Sequence, residues 1–387
     1  MKSHFKVLIA AGGTGGHVMP AVTVAGEIKA LYPEADFLFV GVGRPAEGNI
    51  LDPLGYQRKI LKVPSLAGKN PFKAALALFS LFKSLIGATS IVKDYQPDIC
   101  LAFGGYVCGP VGLVAKIFGL PLVLHEQNSR PGLTNRYLGK IADLVMLGFP
   151  ETEELFKAKR LVYVGNPVRP EIALLGQKER NFEPQALGPQ ILALGGSQGS
   201  QKLNLAVMNL AKSLVEAHLP FRLIHQTGPQ MEAQVKECYE RLKIKASVWP
   251  FISNMAQAYQ QADLAISRAG ALTLAELVAA KVPCLLVPLA TAAHDHQSCN
   301  ARALEEKGLA LVVPEKDLET GLLEKMVLSL LRKPEKLRSM SQSMANEPID
   351  PGSVGPKMAN LVIETLETYF QAEAAKSPSS GQTLDKK

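Results

Sequence analysis

The chain has 387 residues, more than twice a typical domain of ~150, so two domains with sizeable cores are expected. Hydrophobic residues make up 47% and charged residues 20%, a balance that excludes a disordered, collagen-like or coiled-coil protein. Lys and Arg number 42 against 35 Asp and Glu, a net charge of +7, and the excess is local: residues 1–165 hold 18 bases against 12 acids.

The five cysteines show no C-x-x-C spacing, which points to a reducing cytosol rather than a disulfide framework or a zinc cluster. Residues 1–6 run straight into an apolar strand pattern without a leader-like segment, so the mature protein is expected to start at residue 1. The longest apolar region, 74–92, is interrupted by Ser80, Lys83, Ser84 and Thr89 and is too polar to span a membrane.

Short apolar runs alternate with helical-length segments along the whole chain, the pattern of parallel sheets built from βαβ units. Strands are predicted at 6–11, 36–41, 58–63, 98–103, 121–125, 143–147 and 161–164, then at 190–195, 221–226, 246–250, 263–267, 283–287 and 310–313. Both halves open alike, with an apolar strand running into Gly12-Gly13-Thr14-Gly15-Gly16 and into Gly195-Gly196-Ser197-Gln198-Gly199. The reading is an α/β protein of two Rossmann-like domains, 1–166 and 167–350, whose parallel sheets face an interdomain cleft. Prolines and glycine punctuate Gly165–Pro170, a helix at 354–370 could return to the first domain, and the tail 371–387 lacks large apolar residues other than Leu384 and is expected to be disordered.

A glycine loop between strand and helix lets backbone N–H groups approach a phosphate or sugar, and a third one lies at Phe103–Pro110 with Gly104, Gly105 and Tyr106. No lysine follows Gly16 or Gly199, so a Walker loop is absent, and Val18 stands where a dinucleotide fingerprint needs its last glycine. His17, just past the first loop at a helix start, could take a proton from a hydroxyl, or simply bond substrate or the turn. His125-Glu126-Gln127-Asn128 ends a predicted strand, where α/β sheets bind ligands. Ser267 to Glu276 again follows a strand and opens a helix. Its first amides with Thr273 suit a phosphate and Glu276 suits ribose hydroxyls, with a Thr273–Glu276 capping box as the alternative. Downstream of His294, Asp295 and His296, Gln297 and Asn300 are one helical turn apart and better suit sugar hydroxyls than a metal.

Between residues 53 and 93 stand seven bases and no acid. Over 69–86, helical spacing gathers Lys69, Lys73 and Lys83 within an arc of ~80°, with Phe82 and other large apolar residues in other directions. Such a helix is either a solvated surface helix or one that rests on an anionic membrane.

The motifs GGTGGHVMPA (12–21), FGGYVCGP (103–110), HEQN…G (125–132), GNPVR (165–169), GGSQGS (195–200), SRAGALTLAE (267–276) and HDHQSCNA (294–301) together resemble the MurG family within glycosyltransferase family 28. The resemblance implies the GT-B fold and an inverting transfer of N-acetylglucosamine (GlcNAc) from UDP-GlcNAc to the N-acetylmuramic acid (MurNAc) 4-hydroxyl of lipid I, an undecaprenyl-pyrophosphoryl-MurNAc-pentapeptide. The product is lipid II. It further implies a peripheral enzyme on the cytoplasmic side of the inner membrane that serves peptidoglycan synthesis, cell shape and division, without cofactor, metal or nucleic acid.

Carried over by motif, Thr14, Gly15, Gly16, Asn128, Arg169 and Ser197 belong to the donor site and Ile252 meets the uracil edge through its backbone. Ala271, Leu272, Thr273, Leu274, Ala275 and Glu276 take phosphates and ribose, and Gln297 takes the GlcNAc. His17 is the expected base, with Glu126 as runner-up. Lys69, Lys73, Phe82, Gly104, Gly105, Tyr106 and Lys140 are expected on the acceptor and membrane side, with Phe118 nearby. Cys108 stands where the family pattern suggests serine, Ala269 where serine is common, and Met19 where an aromatic is common. Other GT-B enzymes, such as a diacylglycerol glucosyltransferase or a UDP-GlcNAc 2-epimerase, and a non-catalytic two-domain binding protein remain the competing readings.

Overall fold

A computed structural model describes residues 4–13, 15–63, 71–182, 187–196, 198–292 and 295–376, with side chains from residue 80 in the helix that starts at Pro71 and up to residue 375 in the last helix. The first half holds seven strands: β1 (Lys6–Ala10), β2 (Asp36–Gly41), β3 (Gln57–Ile60), β4 (Ile99–Ala102), β5 (Leu122–Glu126), β6 (Leu144–Leu147) and β7 (Leu161–Tyr163). The second holds six: β8 (Gln190–Leu194), β9 (Arg222–Gln226), β10 (Ala246–Trp249), β11 (Leu264–Ser267), β12 (Cys284–Leu286) and β13 (Leu311–Val312). The orders are β3-β2-β1-β4-β5-β6-β7 and β10-β9-β8-β11-β12-β13, and every pairing is parallel.

Each predicted strand is present, with its ends at most three residues from the predicted ones. The reason for that legibility is burial on both faces: β4, β8, β11 and β12 have no exposed residue and read as continuous apolar runs. In both sheets the strand order reverses beside the first strand of the half, between β1 and β4 and between β8 and β11. Loops leaving the carboxyl ends of those strands diverge there and open the crevice in which such sheets bind ligands.

The helix Pro351–Lys376 belongs to the first half's packing. Its Val354, Met358, Val362 and Leu366 are buried with Phe5, Val7, Val18, Val24 and Ile28 in one hydrophobic cluster. Outside the cluster, Arg160 forms a bidentate pair with Glu364 at 3.0 and 3.2 Å. The helix is longer at both ends than the predicted 354–370. Pro351 fits the first helical turn, Asp350 accepts from the Gly352 N–H at 3.1 Å, and Ala-Glu-Ala-Ala-Lys at the far end has high helix propensity. The helix Pro71–Tyr95 runs nine residues past the predicted end of the 69–86 helix. Lys69 lies outside the described residues, as does the Lys73 side chain.

The second half keeps a polar network in its core. His225 Nδ1 and the Tyr239 hydroxyl are 2.8 Å apart, His225 Nε2 is 3.2 Å from Asn204 Oδ1, and Asn204 Nδ2 donates to the Thr227 carbonyl at 2.8 Å. Burial pushes the His225 pKa down to about 3. Below the unfolded value near 6.5 the unfolded chain takes up a proton that the folded chain refuses, so this site's contribution is complete above pH 6.5 and declines as pH falls toward 3. We expect urea midpoints to fall between pH 7 and pH 4, and the same series on His225→Gln to fall less steeply.

Candidate active site

His17 lies in the first turn of the helix Gly15–Leu31, at the carboxyl end of β1. Its Nδ1 is 3.0 Å from the Phe103 carbonyl and 3.3 Å from Gln127 Oε1. Both partners are acceptors, so the proton of the neutral ring sits on Nδ1 and Nε2 presents a lone pair. Gln127 in turn donates through Nε2 to the Phe103 carbonyl at 2.6 Å and toward His125 Nδ1 at 3.3 Å, and His125 Nε2 reaches the Gly165 carbonyl at 3.3 Å. Burial lowers the His17 pKa against the raising effect of its Gln127 and Phe103 bonds, and His296 of the facing half adds a smaller lowering. The His125 value falls to about 4, chiefly through burial.

The loop at 103–108 leaves room for that imidazole. Gly104 has φ +110°, and a Cβ there would stand 2.6 Å from His17 Nδ1. Buried Cys108 accepts from the Gly104 N–H at 3.1 Å, and its single S–H has the Gly104 and Ala10 carbonyls within reach at 3.0 and 3.2 Å. Burial raises its pKa to about 12, so the thiol holds the loop in the place where a serine was expected. Tyr106 beside it is exposed.

The runner-up base is occupied. Glu126 Oε1 accepts from the Asn128 N–H and Nδ2 at 3.0 and 3.1 Å, and Oε2 from Asn135 Nδ2 and the Gly132 N–H at 2.8 and 3.3 Å. It is 1% exposed. Glu126 therefore shapes the loop 128–135 instead of facing a substrate.

The first glycine loop also has an unforeseen partner. The buried Glu47 carboxylate accepts from the N–H groups of Gly13, Val42 and Gly43 at 2.8, 3.1 and 2.8 Å. It fills the anion position that three convergent amides create, which disfavours a phosphate beside Gly13. Gly15 and Gly16 begin the helix that carries His17; Thr14, Ser197 and His294 lie outside the described residues.

In the second half, the helix Ala271–Ala279 starts at the carboxyl end of β11 with Gly270 as its N-cap and no side-chain cap. The first-turn amides of Ala271, Leu272 and Thr273 are thus suited to an anion. Leu274 is buried and Ala275 partly so. The capping box is not formed: Glu276 Oε1 takes Arg169 at 2.9–3.0 Å and Oε2 accepts from the Tyr259 hydroxyl at 3.0 Å. Burial raises the Glu276 pKa, with Arg169 opposing it. Arg169 and Glu276, expected to meet separate parts of the donor, are thus bonded to each other.

The Ile252 N–H donates to Gln226 Oε1 at 2.9 Å, and Gln226 Nε2 donates to the Gly196 carbonyl at 3.0 Å. Gln297 Oε1 accepts from the N–H groups of Ala269 and Leu289 at 3.3 and 3.0 Å. Arg268 joins Ser200, the Val287 and Pro288 carbonyls and Glu315. Asn300 is fully buried and spends its carboxamide on protein groups, so it is no sugar ligand. Glu47, Gln226 and Tyr259 were not singled out from sequence, because no motif marks them and their partners are remote along the chain.

On the outer side of the first half, the helices Pro71–Tyr95, Cys108–Ile117 and Leu133–Gly139 pack in succession. They expose Phe82 (61%), Ile86, Leu113, Ile117 (71%), Phe118 and Tyr137 (67%). The Lys140 ammonium lies 5.2 Å from the Tyr137 ring centroid. Among the described residues no helix is long and apolar enough to cross a membrane.

Residues 7–147 match the glycosyltransferase family 28 N-terminal domain and residues 190–350 the corresponding C-terminal domain. The chain belongs to glycosyltransferase family 28. It is 38% identical over 341 residues to a protein of Thermodesulfovibrio yellowstonii, covering 87% of this chain and 93% of that one. To a protein of Alcanivorax borkumensis it is 41% identical over 312 residues, covering 81% and 85%. Both relatives are named UDP-N-acetylglucosamine–N-acetylmuramyl-(pentapeptide) pyrophosphoryl-undecaprenol N-acetylglucosamine transferase. The crystal structure of Acinetobacter baumannii MurG is similar at a TM-score of 0.73 and 28% identity, over 93% of this chain and 99% of that one. A UDP-GlcNAc 2-epimerase of Neisseria meningitidis, at 15% identity and a TM-score of 0.62 over 94% and 100%, shares the fold.

Removing the Glu47 carboxylate strands three N–H groups near the family's first glycine loop. We expect Glu47→Ala to cost about 1–3 kcal/mol of stability, measured by urea denaturation.

Proposed function

We propose that this family 28 glycosyltransferase transfers GlcNAc from UDP-GlcNAc to the MurNAc 4-hydroxyl of lipid I and so makes lipid II. The observation that carries the reading is the match across both halves to relatives whose names specify that transfer. In the reaction the acceptor oxygen forms a bond to the anomeric carbon while the bond from that carbon to the UDP oxygen breaks on the opposite face, giving inversion. His17 Nε2 takes the hydroxyl proton, a role supported by the two acceptors at Nδ1 and by burial that favours the neutral ring. The bonding electrons pass to UDP, whose charge is stabilised by the amides at 271–273 and by Arg169. The Ile252 carbonyl reads the uracil edge, the Arg169–Glu276 pair meets the donor as one unit on the ribose side, and Gln297 takes the GlcNAc, with Asn128 also on the donor side.

Residues Gly104, Gly105 and Tyr106 lie on the acceptor side of His17. The exposed apolar face with Phe82, Phe118, Tyr137 and Lys140, next to a chain segment rich in lysine, supports peripheral attachment to the anionic cytoplasmic surface of the inner membrane.

Purified protein should move radiolabelled GlcNAc onto a short-chain lipid I analogue, should leave diacylglycerol unlabelled and should release no free N-acetylmannosamine. His17→Ala should lower kcat by about 10²-fold or more. Because the His17 pKa is lowered, kcat/KM should stay level down to about pH 6.5 and decline below it as the ring gains its proton. Labelling of diacylglycerol in place of lipid I would overturn the acceptor assignment. Binding to vesicles of anionic lipid should weaken as salt rises and on Lys140→Ala; binding indifferent to both would remove the charge from this account.

A further inference from the structure

The helix His296–Glu306 of the second half carries Asn300 into the junction between the halves, where it has no exposed surface. Its Oδ1 accepts from the Ser129 N–H at 2.8 Å and the Ser129 hydroxyl at 3.0 Å; its Nδ2 donates to Asn128 Oδ1 and to the Ala269 carbonyl, both at 3.2 Å. Both donors and two acceptor positions of the carboxamide are therefore in use.

The groups that Asn300 joins belong to opposite sides of the cleft. Asn128 and Ser129 lie in the loop that Glu126 shapes, and the single Thr152 O–H has the carbonyls of both within reach at 3.2 and 3.3 Å. Ala269 lies one residue before Gly270, the N-cap of the helix that holds the donor phosphates in the proposed function, and its N–H goes to Gln297, one helical turn before Asn300. One side of the cleft is thus tied to the carbonyl of Ala269 and the sugar-side glutamine to its amide.

We infer that Asn300 is a positioning residue: it sets the loop 128–132, which directly follows the Gln127 that holds His17, against the turn 267–270, and so sets the acceptor hydroxyl at His17 against the anomeric carbon. A displacement demands reacting atoms about 3–3.5 Å apart, and a misplacement of about 1 Å costs on the order of 10²-fold in rate. A buried amide with four bonds across a junction has that precision; an exposed ion pair would not. The inference rests on the donor and acceptor placement of the proposed function.

Two variants test it. Asn300→Asp keeps an acceptor for Ser129 but turns the Nδ2 donor into a second acceptor facing Asn128 Oδ1 and the Ala269 carbonyl; Asn300→Ala removes every bond. Both should bind UDP within threefold of wild type by calorimetry and lose tenfold or more in transfer kcat. A larger share of the UDP-GlcNAc that they consume should go to water. Ser129→Ala should give a smaller loss of kcat, and adding it to Asn300→Ala should cost little more. Unchanged kcat in Asn300→Asp, additive losses in the double variant, or UDP affinity falling by the same factor as kcat would each overturn the inference. Should both Asn300 variants fail to fold, Ser129→Ala decides alone: a lower kcat at unchanged UDP affinity supports the role, and wild-type kinetics refute it. Failure of the wild type on lipid I would overturn the proposed function instead, and the variants would then be compared on the acceptor it does glycosylate.

Discussion

Parallel pairing in both sheets is the constraint from which the site follows. A parallel strand must be followed by a crossover, so each strand's carboxyl end feeds a loop and a helix start on the same edge of the sheet. That edge therefore gathers helix N-termini and loop amides, with their partial positive charge, from segments far apart in sequence. In the first half the edge gathers His17, Gly104 and Gln127; in the second it gathers Gly196, Gln226 and the start of the helix Ala271–Ala279. The interior strands can be apolar throughout because the polar chemistry is delegated to their ends.

The edges are stiffened by buried polar side chains that touch no substrate in the proposed reaction. Glu47 pins the first glycine loop, Glu126 the loop after β5, and Arg268 the loops after β8 and β12. Each saturates its charge or its hydrogen bonds with groups of the protein, which is the condition under which burying an ionisable group is tolerable. A carboxylate that accepts four N–H groups is a structural tie, and this separates Glu126 from His17, whose second ring nitrogen has no hydrogen-bond partner among the described residues.

The fold was legible because its signal is local. Val7 to Ala10, Ile191 to Leu194 and Leu264 to Ile266 are apolar runs bounded by glycine or polar turns, and each became a strand. Site positions at strand ends could be marked for the same reason. Their roles were less legible, because a role depends on who sits opposite: Glu126 reads as a competent base until Asn128, Gly132 and Asn135 surround it, and Asn300 reads as a sugar ligand until Ser129, 171 positions away, takes its oxygen. Arg169 and Glu276 were sought as independent ligands and are an ion pair across 107 positions. Helix ends were misjudged at 351 and 376 because a proline inside the first turn and a run of good helix formers extend a pattern that apolar periodicity alone does not reveal.

The helix Pro351–Lys376 separates sequence order from the order of assembly. Residues 4–163 contain all seven strands of the first sheet, yet the cluster around Phe5 and Val24 is closed by Met358, Val362 and Leu366 from the far side of the second sheet's sequence. About 190 residues that include the whole second sheet separate β7 from the helix that covers this flank. A chain cut short before residue 350 would leave that flank open to water and to other chains, so the first half is closed only when a segment remote in sequence has folded back onto it.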